Sequence, residues 1–225
     1  MDGKLIENND QQKYPCIKFT LLGDEKVGKT TITKIFYENN DSKEYQQTLG
    51  TDTYKINYLV HDQTIVIKLI DTSSDKRFTT IIQNELKKTN IAFLIFDITK
   101  KNSFISLNNW IDLVLSSEKS EISLILIGNK YDLENQREVT EEEIEKFYKE
   151  KKLRYYKTSY SNKKDIIKIF KDLIFDLIED YNSDNNILAK TSVLGVDSIL
   201  NVSEEFSNFT EMKNNKKIKE KKSCC

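Results

Sequence analysis

Apolar and polar positions along the chain set out an alternation of strands and helices. Ile17, Phe19 and Leu21 alternate with Lys18 and Thr20, the two-residue period of a strand. A glycine-flanked segment follows, and then a helix-like stretch over about 29–37. Residues 38–50 are polar and read as a long loop. Residues 51–60 and 64–70 read as two strands joined at His61, Asp62 and Gln63, with His61 a surface turn residue. Two continuous apolar runs, 91–96 and 122–127, suit parallel strands covered on both faces. Between them Phe104, Leu107, Trp110, Ile111, Val114 and Leu115 recur at helical spacing, which makes Trp110 a core residue. A helix over about 140–150 opens with Thr140 and Glu143 at the spacing of a capping box. Residues 155–158 read as a short strand, and Ile166, Ile169, Phe170, Leu173, Ile174 and Leu177 belong to the apolar stripe of a last helix. Strands alternating with helices predict an α/β fold with a mostly parallel sheet.

The chain has 225 residues, enough for one domain with a sizeable core and an appendage. Residues 1–15 are polar and read as a loose N-terminal extension. The domain is expected at 16–181. Residues 182–225, rich in Asn, Ser and Lys, are expected to be a flexible tail. A formal net charge of −1 gives no global excess that would suggest nucleic acid as a partner. Lysines nevertheless crowd the end of the chain, at 213, 216, 217, 219, 221 and 222. Of the three cysteines, Cys224 and Cys225 are adjacent and terminal, so no disulfide framework is expected. Cys16, at the start of a strand, reads as a buried hydrophobe. No apolar signal region is visible, and no apolar run approaches the ~20 residues of a spanning helix. Any membrane contact is therefore expected from the C-terminal end.

Gly23-Asp24-Glu25-Lys26-Val27-Gly28-Lys29-Thr30 fits the spacing GxxxxGK[ST] and stands between a strand and a helix. Glycines at both ends let backbone N–H groups turn inward around phosphate oxygens, and the start of the next helix, through Thr31, adds its dipole. Lys29 is placed to meet the outer phosphates and the Thr30 hydroxyl to bind Mg²⁺. Asn129-Lys130-Tyr131-Asp132 follows the second apolar run and fits NKxD. A carboxylate at Asp132 can accept two N–H bonds from guanine, a donor pair that adenine lacks, and the Lys130 stem can lie on the base. Thr158-Ser159-Tyr160 after the next strand resembles the Thr-Ser-Ala element of guanine-nucleotide proteins, which implies a backbone N–H from the Ser159-Tyr160 turn to the guanine carbonyl. Asp71 ends a strand where a carboxylate would hold Mg²⁺ through water, and Thr48 is placed to meet Mg²⁺ and γ-phosphate when GTP is present.

With these motifs the chain resembles the Ras superfamily and, within it, the Rab family. The Rab likeness is carried by the segment 91–99 with Ser103, Phe104, Leu107 and Trp110, by Arg77-Phe78, and by Tyr45 with Thr48-Leu49-Gly50. It spans about residues 16–181. It implies a P-loop NTPase fold with a six-stranded, mostly parallel sheet flanked by helices. It also implies GTP/GDP binding with Mg²⁺, GTP hydrolysis, and a role in vesicle traffic. Implied partners are an exchange factor, a GTPase-activating protein, effectors at the switches, and a carrier of the Rab escort or dissociation-inhibitor type. Cys224-Cys225 resembles the family's double-cysteine prenylation signal. With the lysines before it, that signal implies anchoring on the cytoplasmic face of an intracellular membrane, in exchange with cytosol.

Departures from the family pattern cluster on catalysis. Ser74 and Asp75 stand where the family has Gly and the water-orienting Gln, and Glu25 stands where it has a small residue. The Lys26 ammonium, next in the chain, is placed to offset the Glu25 charge. Weak intrinsic hydrolysis is expected, with a non-hydrolysing, GTP-bound membrane scaffold as the alternative. Asp41 stands where the family packs an aromatic on guanine, and Ser161 where it has Lys. Faster nucleotide exchange is therefore expected, unless Tyr37 or Tyr160 substitutes.

Overall fold

The computed structural model describes residues 16–40, 43–60, 63–117 and 122–184. Its strands are β1 (Cys16–Leu22), β2 (Lys43–Thr48), β3 (Thr51–Val60), β4 (Gln63–Thr72), β5 (Ile91–Asp97), β6 (Ser123–Asn129) and β7 (Arg154–Lys157). They form one sheet in the order β2-β3-β4-β1-β5-β6-β7. The pairings from β4 through β7 are parallel, while β2–β3 and β3–β4 are antiparallel. The helices are α1 (Lys29–Glu38), α2 (Thr79–Leu86), α3 (Lys101–Ile105), α4 (Leu107–Leu115), α5 (Glu141–Lys151) and α6 (Lys163–Asp184).

Side-chain period explains the layers. Along β5, Ile91, Phe93 and Ile95 enter one core cluster, and Ala92, Leu94 and Phe96 enter the other. Every residue of β5 is buried, as a strand covered on both faces requires. On the first face Phe170 of α6 stacks on Phe36 of α1 with centroids 4.4 Å apart and meets the edge of Phe19 at 5.6 Å. The second face is filled from α2, α3, α4 and α5. The Phe104–Leu115 stripe is carried by two helices, α3 and α4, that meet at Ser106. Helix α5 begins with the expected capping box: the Thr140 hydroxyl accepts from the Glu143 N–H, and the Glu143 carboxylate accepts from the Thr140 N–H.

The sheet has seven strands rather than the expected six. The seventh is β2, inside the segment read as a loop. Residues 44–48 are all exposed, so β2 carries no apolar alternation that a sequence reading could find. Its place is set by backbone pairing to β3, from Lys43 with Ile56 to Thr48 with Thr51, across a Leu49-Gly50 turn. Helix α2 was likewise not anticipated. It is held by the Lys18–Glu85 ion pair and by the Thr20–Thr89 hydroxyl pair just beyond its end. Cys16 is half-buried rather than buried. Among the described residues, no helix is long and apolar enough to cross a membrane. Helix α6 runs to Asp184, so residues 182–184, expected to open the flexible tail, are helical instead. The expected N-terminal extension and the rest of the C-terminal tail, with His61, Asp41, Cys224 and Cys225, lie outside the described residues.

Candidate functional site

The carboxyl ends of the parallel strands line up along one edge of the sheet, where open α/β folds bind ligands. Register places Leu21 of β1 beside Asp71 of β4, and Asp97 of β5 beside Asn129 of β6. The phosphate loop leaves β1 at this edge and the NKxD loop leaves β6.

Gly23 and Gly28 have φ of +146° and +107°. A Cβ would lie 2.2 Å from the Ile95 carbonyl oxygen at Gly23, and 2.2 Å from Asn129 Nδ2 at Gly28. Only glycine lets the loop pass this close to β5 and to the NKxD loop. The space at Gly28 is used: Asn129 Nδ2 donates to the Val27 carbonyl at 2.8 Å, and Asn129 Oδ1 accepts from the Thr158 hydroxyl at 3.0 Å. Asn129 thus braces the phosphate loop against the base loop from a buried position.

Lys29 Nζ donates to the carbonyls of Gly23 and Asp24, each at 2.8 Å. Its burial pushes the ammonium pKa down, opposed by the carboxylates of Asp71, Asp24 and Glu25. The Thr30 hydroxyl donates to Asp71 Oδ2 at 2.5 Å, while buried Asp71 Oδ1 has no hydrogen-bond partner. Burial pushes the Asp71 carboxyl up, and the Thr30 hydroxyl and Lys29 pull it back. A hydroxyl beside a carboxylate with an unmet oxygen fits a hard divalent cation. Among the described residues, no group of three or more His, Cys, Asp or Glu could hold a metal by itself. Mg²⁺ here would therefore take most of its ligands from phosphate and water.

A cleft of about 500 Å³ is lined by Lys26, Gly28, Lys29, Thr30 and Thr31 on one side and by Asn129, Lys130, Asp132 and Tyr160 on the other. The motifs read from the sequence therefore meet across one cavity. Lys130, at φ +67°, reaches back to Asp97, with Nζ 2.5 Å from Oδ2. That oxygen has no other hydrogen-bond partner. The ion pair, which sequence reading did not find, fixes Lys130 along the cleft wall. Its only sequence signal is a carboxylate ending an apolar strand, as at Asp71. Ser159 is buried, and its hydroxyl pairs with that of Ser161 at 2.7 Å. Tyr160 is 61% exposed, with Lys163 Nζ 4.9 Å from its ring centroid. Tyr37, the other candidate to cover the base, is half-buried and packs edge-on against Tyr54 at 5.0 Å, on the side of the first core cluster.

Thr48 is not gathered into this site. Its hydroxyl donates to the Thr51 carbonyl at 2.5 Å and lies 2.9 Å from the Thr51 hydroxyl. Thr51 in turn pairs with Thr72. Thr48 is thus two strand spacings, about 10 Å, from the β4 strand that carries Asp71.

Glu25, Ser74 and Asp75 come together instead, with Asp24 and Ser73, around a second cleft of about 730 Å³. Asp75 Oδ2 accepts from Arg77 Nε at 2.8 Å and from Nη2 at 2.6 Å, while Oδ1 accepts from the Arg77 N–H at 2.9 Å. These bonds hold the Asp75 carboxyl below its usual range, so it is an anion at neutral pH. Glu25 lies 3.4 Å from Lys26, as charge compensation requires, but both side chains are about three-quarters exposed, so the pair is screened and weak. A family model described as Ras family matches residues 18–179, more than two thirds of the chain.

Proposed function

This chain belongs to the Ras family, and we propose that it works as a Rab-like GTP/GDP switch of intracellular vesicle traffic whose own hydrolysis is slow. As a family member it is a small GTPase, a class that binds GTP and GDP with Mg²⁺. In this reading the loop N–H groups and Lys29 hold the phosphates, and Thr30 and Asp71 hold the metal, which neutralises phosphate charge when bound. Asp132 selects guanine, Lys130 and Tyr160 flank it, and the Ser159-Tyr160 turn meets its carbonyl. Thr48 serves the triphosphate only if the β2–β3 turn opens, because its hydroxyl is bonded to Thr51. Opening would give effectors, an exchange factor and a GTPase-activating protein a nucleotide-dependent surface to read.

The observation that carries slow hydrolysis is the second cleft. Asp75 occupies the position of the water-orienting Gln, is anionic, and has both carboxylate oxygens engaged by Arg77. Glu25 adds a further carboxylate to the same cleft. Neither group can donate a hydrogen bond to attacking water or γ-phosphate, and both repel a phosphate anion. The same arrangement favours the second reading, a GTP-held membrane scaffold. The terminal cysteines and lysines support prenyl anchoring to the cytoplasmic face of an intracellular membrane, with a carrier protein for the cytosolic phase.

Single-turnover hydrolysis of preloaded GTP with Mg²⁺, beside nucleotide-release controls, tests this. Phosphate release well below the roughly 10⁻⁴ s⁻¹ of unassisted family members is expected. Release at that ordinary rate would show that another group positions water. No release at all, even with a GTPase-activating protein, would leave the scaffold.

A further inference from the structure

Trp110 joins α4 to the phosphate loop. Its indole Nε1–H donates to Asp24 Oδ1 at 2.9 Å, and its ring lies half-buried against the second core cluster. The rest of Asp24 belongs to the phosphate site: its carbonyl accepts from Lys29 Nζ at 2.8 Å, and the residue lines the second cleft with Glu25 and Asp75. We propose that Trp110 is a positioning residue that sets the preference for GTP over GDP, by holding the Asp24 carboxylate against α4 and away from the γ-phosphate.

The physical case is one of charge placement. Two carboxylates already face this cleft, and a third free to turn into it would repel whatever anion enters. An indole N–H can only donate, so it suits a carboxylate that must be kept in place. Packing fixes the ring, and the ring fixes the donor. GDP ends at the β-phosphate, which Lys29 and the loop N–H groups would meet in the first cleft, whose lining includes Lys29 and Thr30 but not Asp24. The diphosphate is therefore nearly indifferent to where this carboxylate points, whereas the triphosphate is not. A purely structural Trp110 would affect both nucleotides alike.

The inference rests on the guanine-nucleotide reading above, and one set of measurements separates the two. Affinities for GDP and for a non-hydrolysable GTP analogue are measured on the full chain, with Mg²⁺, for the wild type, Trp110→Phe, Asp24→Asn and the double variant. Trp110→Phe keeps a ring in the core and deletes the donor. It is expected to lower the GTP-to-GDP affinity ratio about tenfold, the scale of one partly screened charge brought to within about 10 Å. In the double variant the charge is gone, and the ratio is expected to return to that of the wild type. Asp24→Asn alone keeps an acceptor for the indole and is expected to hold or raise the ratio. It also tests the idea should Trp110→Phe fail to fold. As Trp110 is the one tryptophan of the chain, its emission reports that contact directly and is expected to shift in Asp24→Asn. An unchanged ratio in Trp110→Phe, an equal loss for both nucleotides, or a lowered ratio in Asp24→Asn overturns the inference alone. A wild-type chain that binds neither nucleotide overturns the functional reading with it.

Discussion

Asn129→Ala separates a residue that holds the site together from one that touches ligand. Asn129 is buried, and its amide makes two bonds, one to the Val27 carbonyl at 2.8 Å and one from the Thr158 hydroxyl at 3.0 Å. Truncation removes both. The Thr158 hydroxyl keeps a second acceptor, the Gly128 carbonyl at 3.4 Å, so its loss is one net hydrogen bond of about 1 kcal/mol. The Val27 carbonyl loses its donor in the interior, which costs about 1–3 kcal/mol, the lower end applying if water enters beside Gly28. The sum is about 2–4 kcal/mol, equivalent to a fall in Tm of roughly 5–15 °C for a domain of this size. Urea unfolding of the nucleotide-free protein in EDTA measures it without any ligand. A loss under about 0.5 kcal/mol, the range of an ordinary surface substitution, would refute the brace. If nucleotide affinity fell steeply at the same time, Asn129 would have to act on the ligand instead.

Asp75→Gln removes the charge and the Arg77 pair and is expected to raise single-turnover hydrolysis about tenfold, or about 1.4 kcal/mol in the barrier. Because that pair is exposed, stability should be nearly unchanged, and an unchanged hydrolysis rate would move the defect to Glu25 or Ser74. Burial holds the Asp71 carboxyl above its ordinary range. Without Mg²⁺ the folded state therefore binds this proton more tightly than the unfolded chain. Its contribution to stability is present below the unfolded carboxyl pKa and is lost as pH rises through the folded value. Denaturation across acid to neutral pH in EDTA should show that loss in the wild type and a flatter profile in Asp71→Asn, whereas equal slopes would contradict the assignment. Tyr160→Ala removes the exposed ring from the cleft and is expected to speed GDP release by about three- to tenfold, the worth of one aromatic contact, with Tyr160→Phe near wild type. Equal release rates for all three would mean that the ring does not cover the base.

What the sequence could show followed from how each feature is stabilised. Buried strands announce themselves because both faces need apolar side chains, and β5 and β6 were read within a residue or two of their ends. The phosphate and base loops were legible because their chemistry demands particular residues at fixed spacing, as with Gly28, whose missing Cβ makes room for Asn129. Strand β2 was not legible. It is an exposed edge held by backbone pairing, and its Lys-Glu-Tyr-Gln-Gln-Thr carries no two-residue period. The ties that cross the site were equally hidden. Asn129 to Val27, Lys130 to Asp97 and Trp110 to Asp24 join residues far apart in the chain. A tryptophan on an apolar stripe looks the same whether or not its N–H has a distant partner.

In the proposed reading, binding and hydrolysis rest on different kinds of residue. The groups suited to phosphate, metal and base are tied to one another and to the sheet. Lys29, Asp71, Asn129 and Ser159 are all buried, and each bonds within or across the loops. Changing one disturbs the fold as well as the site. The departures from the family's catalytic pattern lie on side chains with little structural role. Glu25 is 75% exposed, and the Asp75 carboxylate pairs with an Arg77 that is 82% exposed. Exposed pairs of this kind are screened by water and contribute little, so a chain can acquire them at almost no cost in stability while losing the group that orients water. Slow hydrolysis on an intact binding site is then the expected outcome of substitutions confined to the second cleft. It also implies that restoring Gln at Asp75 and a small residue at Glu25 should recover hydrolysis without rebuilding anything beneath them.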